Sequence, residues 1–105
     1  MTRVALAGAT GWAGSALARG IARQADLALV AAVARRAAGR TLGAAIGAPG
    51  METPVFASAR EALAVGCDIF VEYTKPDTAK ANILAALDAG AHVVVGTSGL
   101  GDADY

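Results

Sequence analysis

The chain has 105 residues, 55% of them hydrophobic, and its 9 basic and 9 acidic side chains leave no net charge. This size allows one domain with a hydrophobic core, and the composition excludes a disordered chain. The balanced charge favours neither nucleic acid nor a membrane surface as a partner, and the longest apolar run, at residues 27–34, is far short of the roughly 20 residues of a membrane helix.

Apolar runs predict five short strands, at residues 3–8, 27–34, 54–56, 68–73 and 92–96. The second run is apolar throughout, which is typical of a strand buried on both faces of a parallel sheet. Helical patterns separate the strands, so the connections should be right-handed crossovers. The predicted fold class is therefore α/β, a Rossmann-like doubly wound parallel sheet of about five strands.

Two helical segments are predicted in the first half of the chain. Residues 12–24 have apolar side chains at a spacing of three and four, which indicates an amphipathic helix. Its buried face would contain Ala13, Leu17, Ala18 and Ile21. Residues 35–53 predict a loop with one short helical turn near residues 42–46.

Two more helices begin with recognisable start signals. Ser58 followed by Glu61 is a capping-box pattern, and the short helix that it opens should end near Gly66. Pro76 suits the first turn of the last helix, and Gly90 suits its C-terminal stop. The buried stripe of that helix would contain Ala79, Ile83, Leu84 and Leu87.

Three glycines, Gly8, Gly11 and Gly14, follow the first strand as G-x-x-G-x-x-G. This is a variant of the dinucleotide fingerprint, in which glycines permit a sharp turn, close approach to a pyrophosphate and close helix packing. The amides of the first helical turn would face the anion. We predict nucleotide binding; a tight turn without a ligand is the alternative. Trp12 would shield the pyrophosphate, reach a neighbouring domain or cap the end of the sheet.

The residues after the second strand bear on which dinucleotide is bound. NAD-binding folds often place a carboxylate about 20 residues beyond the glycine loop, where it holds the ribose 2′-hydroxyl. Ala34 occupies that position here, and Arg35 and Arg36 follow it. Guanidinium groups suit a 2′-phosphate. The pair therefore predicts a preference for NADPH over NADH, the alternative being two solvated arginines in a loop.

The fourth and fifth strands both end in polar loops. Thr74, Thr97 and Ser98 bring hydroxyls to the carboxyl edge of the sheet, where open α/β sheets bind ligands. Gly96 would allow close approach of the backbone. Caps and turns are the alternative role for these residues.

Residues 4–14, VALAGATGWAG, resemble the opening V-x-G-x-x-G-x-M-G loop of the N-terminal domain of dihydrodipicolinate reductase, also called 4-hydroxy-tetrahydrodipicolinate reductase. Residues 68–100, DIFVEYTKPDTAKANILAALDAGAHVVVGTSGL, resemble its D-V-x-I-D-F-T-x-P … G-T-T-G-F segment. The family implies hydride transfer from NAD(P)H to a cyclic dicarboxylate in lysine and diaminopimelate biosynthesis, in a cytoplasmic homotetramer. The cofactor site, with Arg36 added from its position, would contain Gly8, Ala9, Thr10, Gly11, Trp12, Ala13, Arg35, Arg36, Tyr73, Thr74, Lys75, Gly96, Thr97 and Ser98.

The family's substrate domain, with its paired histidines, lysine and P-S-G-T-A region, follows the matching segment and is not within these residues. We therefore expect residues 1–105 to form one dinucleotide-binding domain with no catalytic residue and no metal site. Alone, it should be inactive, bind cofactor weakly and be a monomer or weak dimer. His92 is interpreted as structural, and Cys67 as a small buried thiol that suits a reducing cytosol.

Two other functions stay open. The GATGWAG loop also resembles those of short-chain-dehydrogenase-like NADP sensors, although a Tyr-x-x-x-Lys pair or a sensor partner surface is lacking. A non-redox nucleotide or CoA-binding module is the other alternative. Departures from the reductase pattern are Ala34 for an acidic residue, Trp12-Ala13 for Arg/Lys-Met, Glu72-Tyr73 for Asp-Phe, and Ser98 for Thr.

Overall fold

A computed structural model describes residues 1–74 and 76–96, apart from the side chains of residues 76 and 77. Its sheet contains the strands Thr2–Ala7 (β1), Leu27–Val33 (β2), Val55–Phe56 (β3), Ile69–Glu72 (β4) and His92–Val95 (β5). The strand order is β3-β2-β1-β4-β5, and all four neighbouring pairs are parallel. The predicted parallel, doubly wound sheet is confirmed, and each strand end lies within one residue of its predicted place.

The helical elements are Trp12–Ala22 (α1), Leu42–Ile46 (α2), Ala59–Leu63 (α3) and Pro76–Asp88 (α4). The short turn near residues 42–46 is thereby confirmed. A 3₁₀ turn over Arg35–Ala37, directly after β2, was not predicted from the sequence. No helix within the described residues has the length and apolar character needed to cross a membrane.

One face of the sheet is covered by α1. Ala18 and Ile21 are buried there against Val4 and Leu6 of β1. Leu17 is half-buried, as its predicted place on this face requires, but Ala13 is exposed, and the prediction for it was wrong. The reason is that Gly14, one position further, faces the loop after β1, so that Ala13 is turned away from the sheet.

The opposite face is covered by α3 and α4, and its core is built largely from alanine. Ala62 of α3 and Ala86 of α4 are fully buried with Phe70 of β4. Small side chains let the two helices lie close to the sheet and to one another. The alanine-rich composition therefore produces a thin core in which Phe70 is one of the few large buried side chains.

The predicted buried stripe of α4 was only partly right. Ala79 is fully buried and Ile83 half-buried, but Leu84 is 64% exposed and Leu87 56% exposed. The helix packs through Ala79, Asn82 and Ala86 instead. At about 100° per residue, Leu84 lies roughly 140° around the helix from Ala79, so it cannot share the buried face.

The start signal of α3 and the end signal of α4 formed as predicted, whereas α3 ends at Leu63, before the predicted end near Gly66. Ser58 Oγ accepts a hydrogen bond from the Glu61 amide at 3.2 Å and donates one to Glu61 Oε1 at 3.1 Å. Gly90, with a φ of 81°, follows the end of α4 in the left-handed region. Its amide donates to the Leu87 carbonyl, which closes the helix.

Candidate functional site

An open cleft of about 950 Å³ lies at the carboxyl edge of the sheet, where β1 and β4 end side by side. β1 continues through α1 to β2 on one side, and β4 lies on its other side, so this is the topological switch point of the sheet. The predicted site residues that line the cleft are Gly8, Thr10, Gly11, Arg35, Arg36, Tyr73 and Thr74. Sequence reasoning missed Val33, Ala34, Ala57, Ser58, Ala59, Thr78, Ala81 and Asn82 as lining residues.

The loop after β1 requires glycine at two of its three positions. Gly8 has a φ of 80°, and a Cβ there would lie 2.5 Å from the Tyr73 carbonyl oxygen. A Cβ on Gly14 would overlap the Gly8 carbonyl oxygen and lie 2.8 Å from its carbon. The Gly8 amide also donates to the Val33 carbonyl at 3.0 Å, which ties the loop to the end of β2. The fold therefore explains the first and third glycines.

Gly11 differs from the other two glycines. It is the N-cap of α1, with a φ of −68°, and a Cβ on it would meet only the Gly8 carbonyl oxygen, at 3.4 Å. No side chain caps the helix, and its first turn holds no acidic residue. The first amides of a helix have no partner within the helix. The N-terminal amides of α1 and the positive end of its dipole therefore lie next to Gly11, which lines the cleft.

The two arginines after β2 lie on the 3₁₀ turn and line the cleft with exposed side chains. Ala34 begins this turn, and its amide donates to the Phe56 carbonyl at 3.0 Å, so the turn is tied to β3. Arg40, further along, instead donates to the Ala44 carbonyl at 3.1 Å. No acidic side chain is among the described residues that line the cleft. Among these described lining residues, the charged groups are the guanidinium groups of Arg35 and Arg36.

The end of β4 is organised by a buried carboxylate. Glu72 is fully buried, and its Oε1 accepts hydrogen bonds from the Thr74 amide, at 2.9 Å, and from the Thr74 hydroxyl. The Tyr73 amide donates to the Ala7 carbonyl at 3.0 Å. These bonds hold Tyr73 and Thr74 beside Gly8 at the switch point.

Gly96 affects the cleft indirectly, because it determines the space available to the ring of Tyr73. It does not line the cleft, and its amide donates to the Glu72 carbonyl at 2.8 Å. A Cβ on it would lie 2.5 Å from Cε2 and 2.6 Å from Oη of the Tyr73 ring. Glycine at this position therefore makes room for the ring.

The other predicted site residues are not among the lining residues of the cleft or are outside the described residues. Ala9 is fully buried, and Ala13 is exposed at the start of α1. Trp12 is 93% exposed, so the interpretation in which it caps the end of the sheet was wrong. The remaining three, Lys75, Thr97 and Ser98, are outside the described residues.

His92 and Cys67 lie outside the cleft lining. His92 is exposed at the start of β5, where its amide donates to the Asp68 carbonyl. Cys67 is half-buried against the core under α3 and α4. Burial, followed by the charge of Asp68, raises the pKa of the Cys67 thiol. A thiol with a raised pKa is a poor nucleophile, in agreement with the predicted structural role.

The parallel sheet, the glycine loop at the switch point and the cleft above it define a Rossmann-like α/β domain. Residues 2–105 match the family model described as dihydrodipicolinate reductase, N-terminus. The chain belongs to this family.

Similar proteins include the 4-hydroxy-tetrahydrodipicolinate reductase of Symbiobacterium thermophilum, 39% identical over 100 residues that cover 92% of this chain and 39% of that protein. That of Thermosynechococcus vestitus is 31% identical over 102 residues, covering 92% of this chain and 37% of that protein. The chain thus spans about two fifths of the length of these curated relatives.

Two solved structures share the fold. The dipicolinate-bound dihydrodipicolinate reductase from Paenisporosarcina sp. TG-14 has a TM-score of 0.78 and 25% identity, covering 99% of this chain and 40% of that one. The aspartate semialdehyde dehydrogenase with NADP from Candida albicans has a TM-score of 0.80, covering 93% of this chain and 30% of that one. At 20% identity, the second shows the fold alone.

Proposed function

We propose that the chain is the NADP(H)-binding domain of a 4-hydroxy-tetrahydrodipicolinate reductase of lysine and diaminopimelate biosynthesis. Family membership supports the reductase, and the cleft at the switch point supports the dinucleotide. The whole enzyme would transfer hydride to a cyclic dicarboxylate. Residues 1–105 would contribute the cofactor half of that reaction.

The described residues fit the cofactor. Gly8 and Gly14 keep the loop open at a point where side chains would collide with backbone, and the first amides of α1 would bind the pyrophosphate. The packing of the loop does not require glycine at Gly11, which supports close approach of a ligand there. Tyr73 and Thr74, which are held beside Gly8, would contact the nicotinamide half of the dinucleotide. When bound, the nicotinamide supplies the hydride, and the protein orients it.

The observation that carries the preference for NADPH is the position of Arg35 and Arg36 in the cleft lining. Both follow Ala34, which stands where an NAD-binding domain often has a carboxylate. A charge-assisted hydrogen bond to a 2′-phosphate is worth about 1.5–3 kcal/mol, which corresponds to about 10- to 150-fold in affinity. NADH has no such phosphate, so the arginines should contribute little to its binding.

Isothermal titration calorimetry of the chain with NADPH, NADH and CoA tests this function. We expect binding of NADPH in preference to NADH and none of CoA, and a loss of at least tenfold in NADPH affinity in the Arg35→Ala/Arg36→Ala variant. Arg60→Ala is the matched control, since Arg60 is exposed on α3 outside this cleft. Equal losses for NADPH and NADH would contradict the role of the arginine pair. Binding of CoA without NADPH would contradict the reductase.

The isolated chain should be catalytically inactive and a monomer or weak dimer. Its contribution is a cofactor cleft, whereas the family's paired-histidine and lysine region lies beyond the matching segment. Absorbance at 340 nm should show no NADPH oxidation when the dicarboxylate is added, and sedimentation should give a mass below that of a tetramer. Turnover by the chain alone would contradict this assignment.

A further inference from the structure

The cleft continues past the arginine pair to a wall that the proposed phosphate contacts leave unused. This wall is formed by residues at the start of α3 and on α4, namely Ala57, Ser58, Ala59, Thr78, Ala81 and Asn82. The three alanines leave space for a flat group. Ser58 already forms hydrogen bonds with Glu61, and Asn82 is the carboxamide among these residues, with a donor and an acceptor in one plane.

The side-chain amide nitrogen of Asn82 lacks a hydrogen bond within the described residues. The residue is 8% exposed, and its Nδ2 is buried with no hydrogen-bond partner within residues 1–74 and 76–96. Ala79 and Ala86, its neighbours on the buried face of α4, have no polar side-chain atoms that could form a hydrogen bond with it. Buried polar groups in folded proteins are nearly always paired, and an unpaired amide costs free energy. An unpaired amide in the lining of a cleft points to a ligand.

The order of groups in a dinucleotide indicates which part of the ligand reaches this wall. The proposed site places the pyrophosphate at the glycine loop and the ribose 2′-phosphate at Arg35 and Arg36. The remaining part of the adenosine half of the dinucleotide is then the adenine base. The remaining part of the cleft is the wall of α3 and α4. A planar base beside three small side chains would bring one of its edges to Asn82.

We infer that Asn82 is a specificity-determining residue that recognises the adenine base of the dinucleotide. Its Oδ1 accepts a hydrogen bond from the adenine amino group, and a small rotation lets Nδ2 donate to N7. This donor–acceptor pair is the one that asparagine matches on adenine. The inference rests on the proposed function, because it requires a dinucleotide in the cleft.

Replacing adenine by hypoxanthine isolates this contact. Hypoxanthine has a carbonyl in place of the amino group, so that Oδ1 faces an oxygen. If the amide flips to donate to that carbonyl, Oδ1 then faces N7, which is also an acceptor. Neither orientation forms both hydrogen bonds, whereas the contacts to the phosphates stay the same.

The test compares dissociation constants of the chain for NADPH and for the reduced form of nicotinamide hypoxanthine dinucleotide phosphate, so that the two ligands differ only at the base. Wild type should bind NADPH about tenfold more tightly than the analogue. Asn82→Ala should bind both nucleotides equally, through a loss of NADPH affinity. Leu84→Ala, on the exposed side of the same helix, should keep the wild-type ratio.

Each outcome separates this inference from the proposed function. Equal binding of the two nucleotides by wild type, or an unchanged ratio in folded Asn82→Ala, would overturn the role of Asn82 and leave the proposed function standing. Binding of neither nucleotide by wild type would overturn both. If Asn82→Ala does not fold, Asn82→Leu, which keeps the branching at Cγ without a polar group, provides the same comparison.

Discussion

Substitution of Gly14 by alanine tests the packing of α1 against the glycine loop. The new Cβ would overlap the Gly8 carbonyl oxygen and lie 3.2 Å from Ala9 Cα, so all three of its nearest contacts are backbone. Overpacking costs about 1–3 kcal/mol, and contacts that no side-chain rotation can relieve favour the upper end. Alanine returns about 1 kcal/mol through helix propensity. The net destabilisation should be about 2 kcal/mol.

Gly20→Ala is the matched control, since the same methyl group on the same helix would meet nothing within 4 Å. It should stabilise the chain by about 0.5–1 kcal/mol. At about 4–8 °C per kcal/mol for a domain near this size, Gly14→Ala should lower the Tm by about 8–16 °C while Gly20→Ala raises it. Thermal melts followed by circular dichroism measure both. Equal Tm values for the two variants would refute the close-packing explanation of Gly14.

Three further predictions concern other parts of the domain. Ser58→Ala removes the cap of α3 and should lower the free energy of unfolding by about 1 kcal/mol in urea titrations; an unchanged midpoint would contradict the cap. Gly96→Ala should push the Tyr73 ring from its place and weaken NADPH binding, with little loss of Tm because the ring can move, so that an unchanged Kd would count against this contact. Burial raises the pKa of Cys67, so its alkylation by iodoacetamide should reach half-maximal rate at a higher pH than that of a free cysteine, and a midpoint at or below the free value would refute the assignment.

Features that depend on local chemistry could be predicted from the sequence. Ser58 and Glu61 stand three positions apart and form their hydrogen bonds within one helical turn, so no distant residue is needed to recognise them. Gly90 ends α4 because a positive φ suits glycine. The strands were equally clear, since apolar runs between turn residues define their ends.

Features that depend on how the helices pack could not be predicted. The buried face of α4 is set by α3 and the alanine-rich core, which select Ala86 and leave Leu84 in solvent. Hydrophobicity alone favours the leucine. Asn82 was missed for the same reason. It lines a cleft only because the 3₁₀ turn over Arg35–Ala37 and the start of α3 lie opposite α4 in the folded chain. A single asparagine three positions after buried Ala79 was the available signal.

The central claim is that the amides at the start of α1 bind the diphosphate of a dinucleotide. Titration of ¹⁵N-labelled chain with NADPH, followed by amide chemical shifts, tests it directly. We predict saturable shifts that are largest at Gly8, Gly11 and Ala13, with smaller ones at Arg35 and Asn82. Unchanged resonances from Gly8 to Gly14, while NADPH shifts amides elsewhere in the chain, would contradict the account.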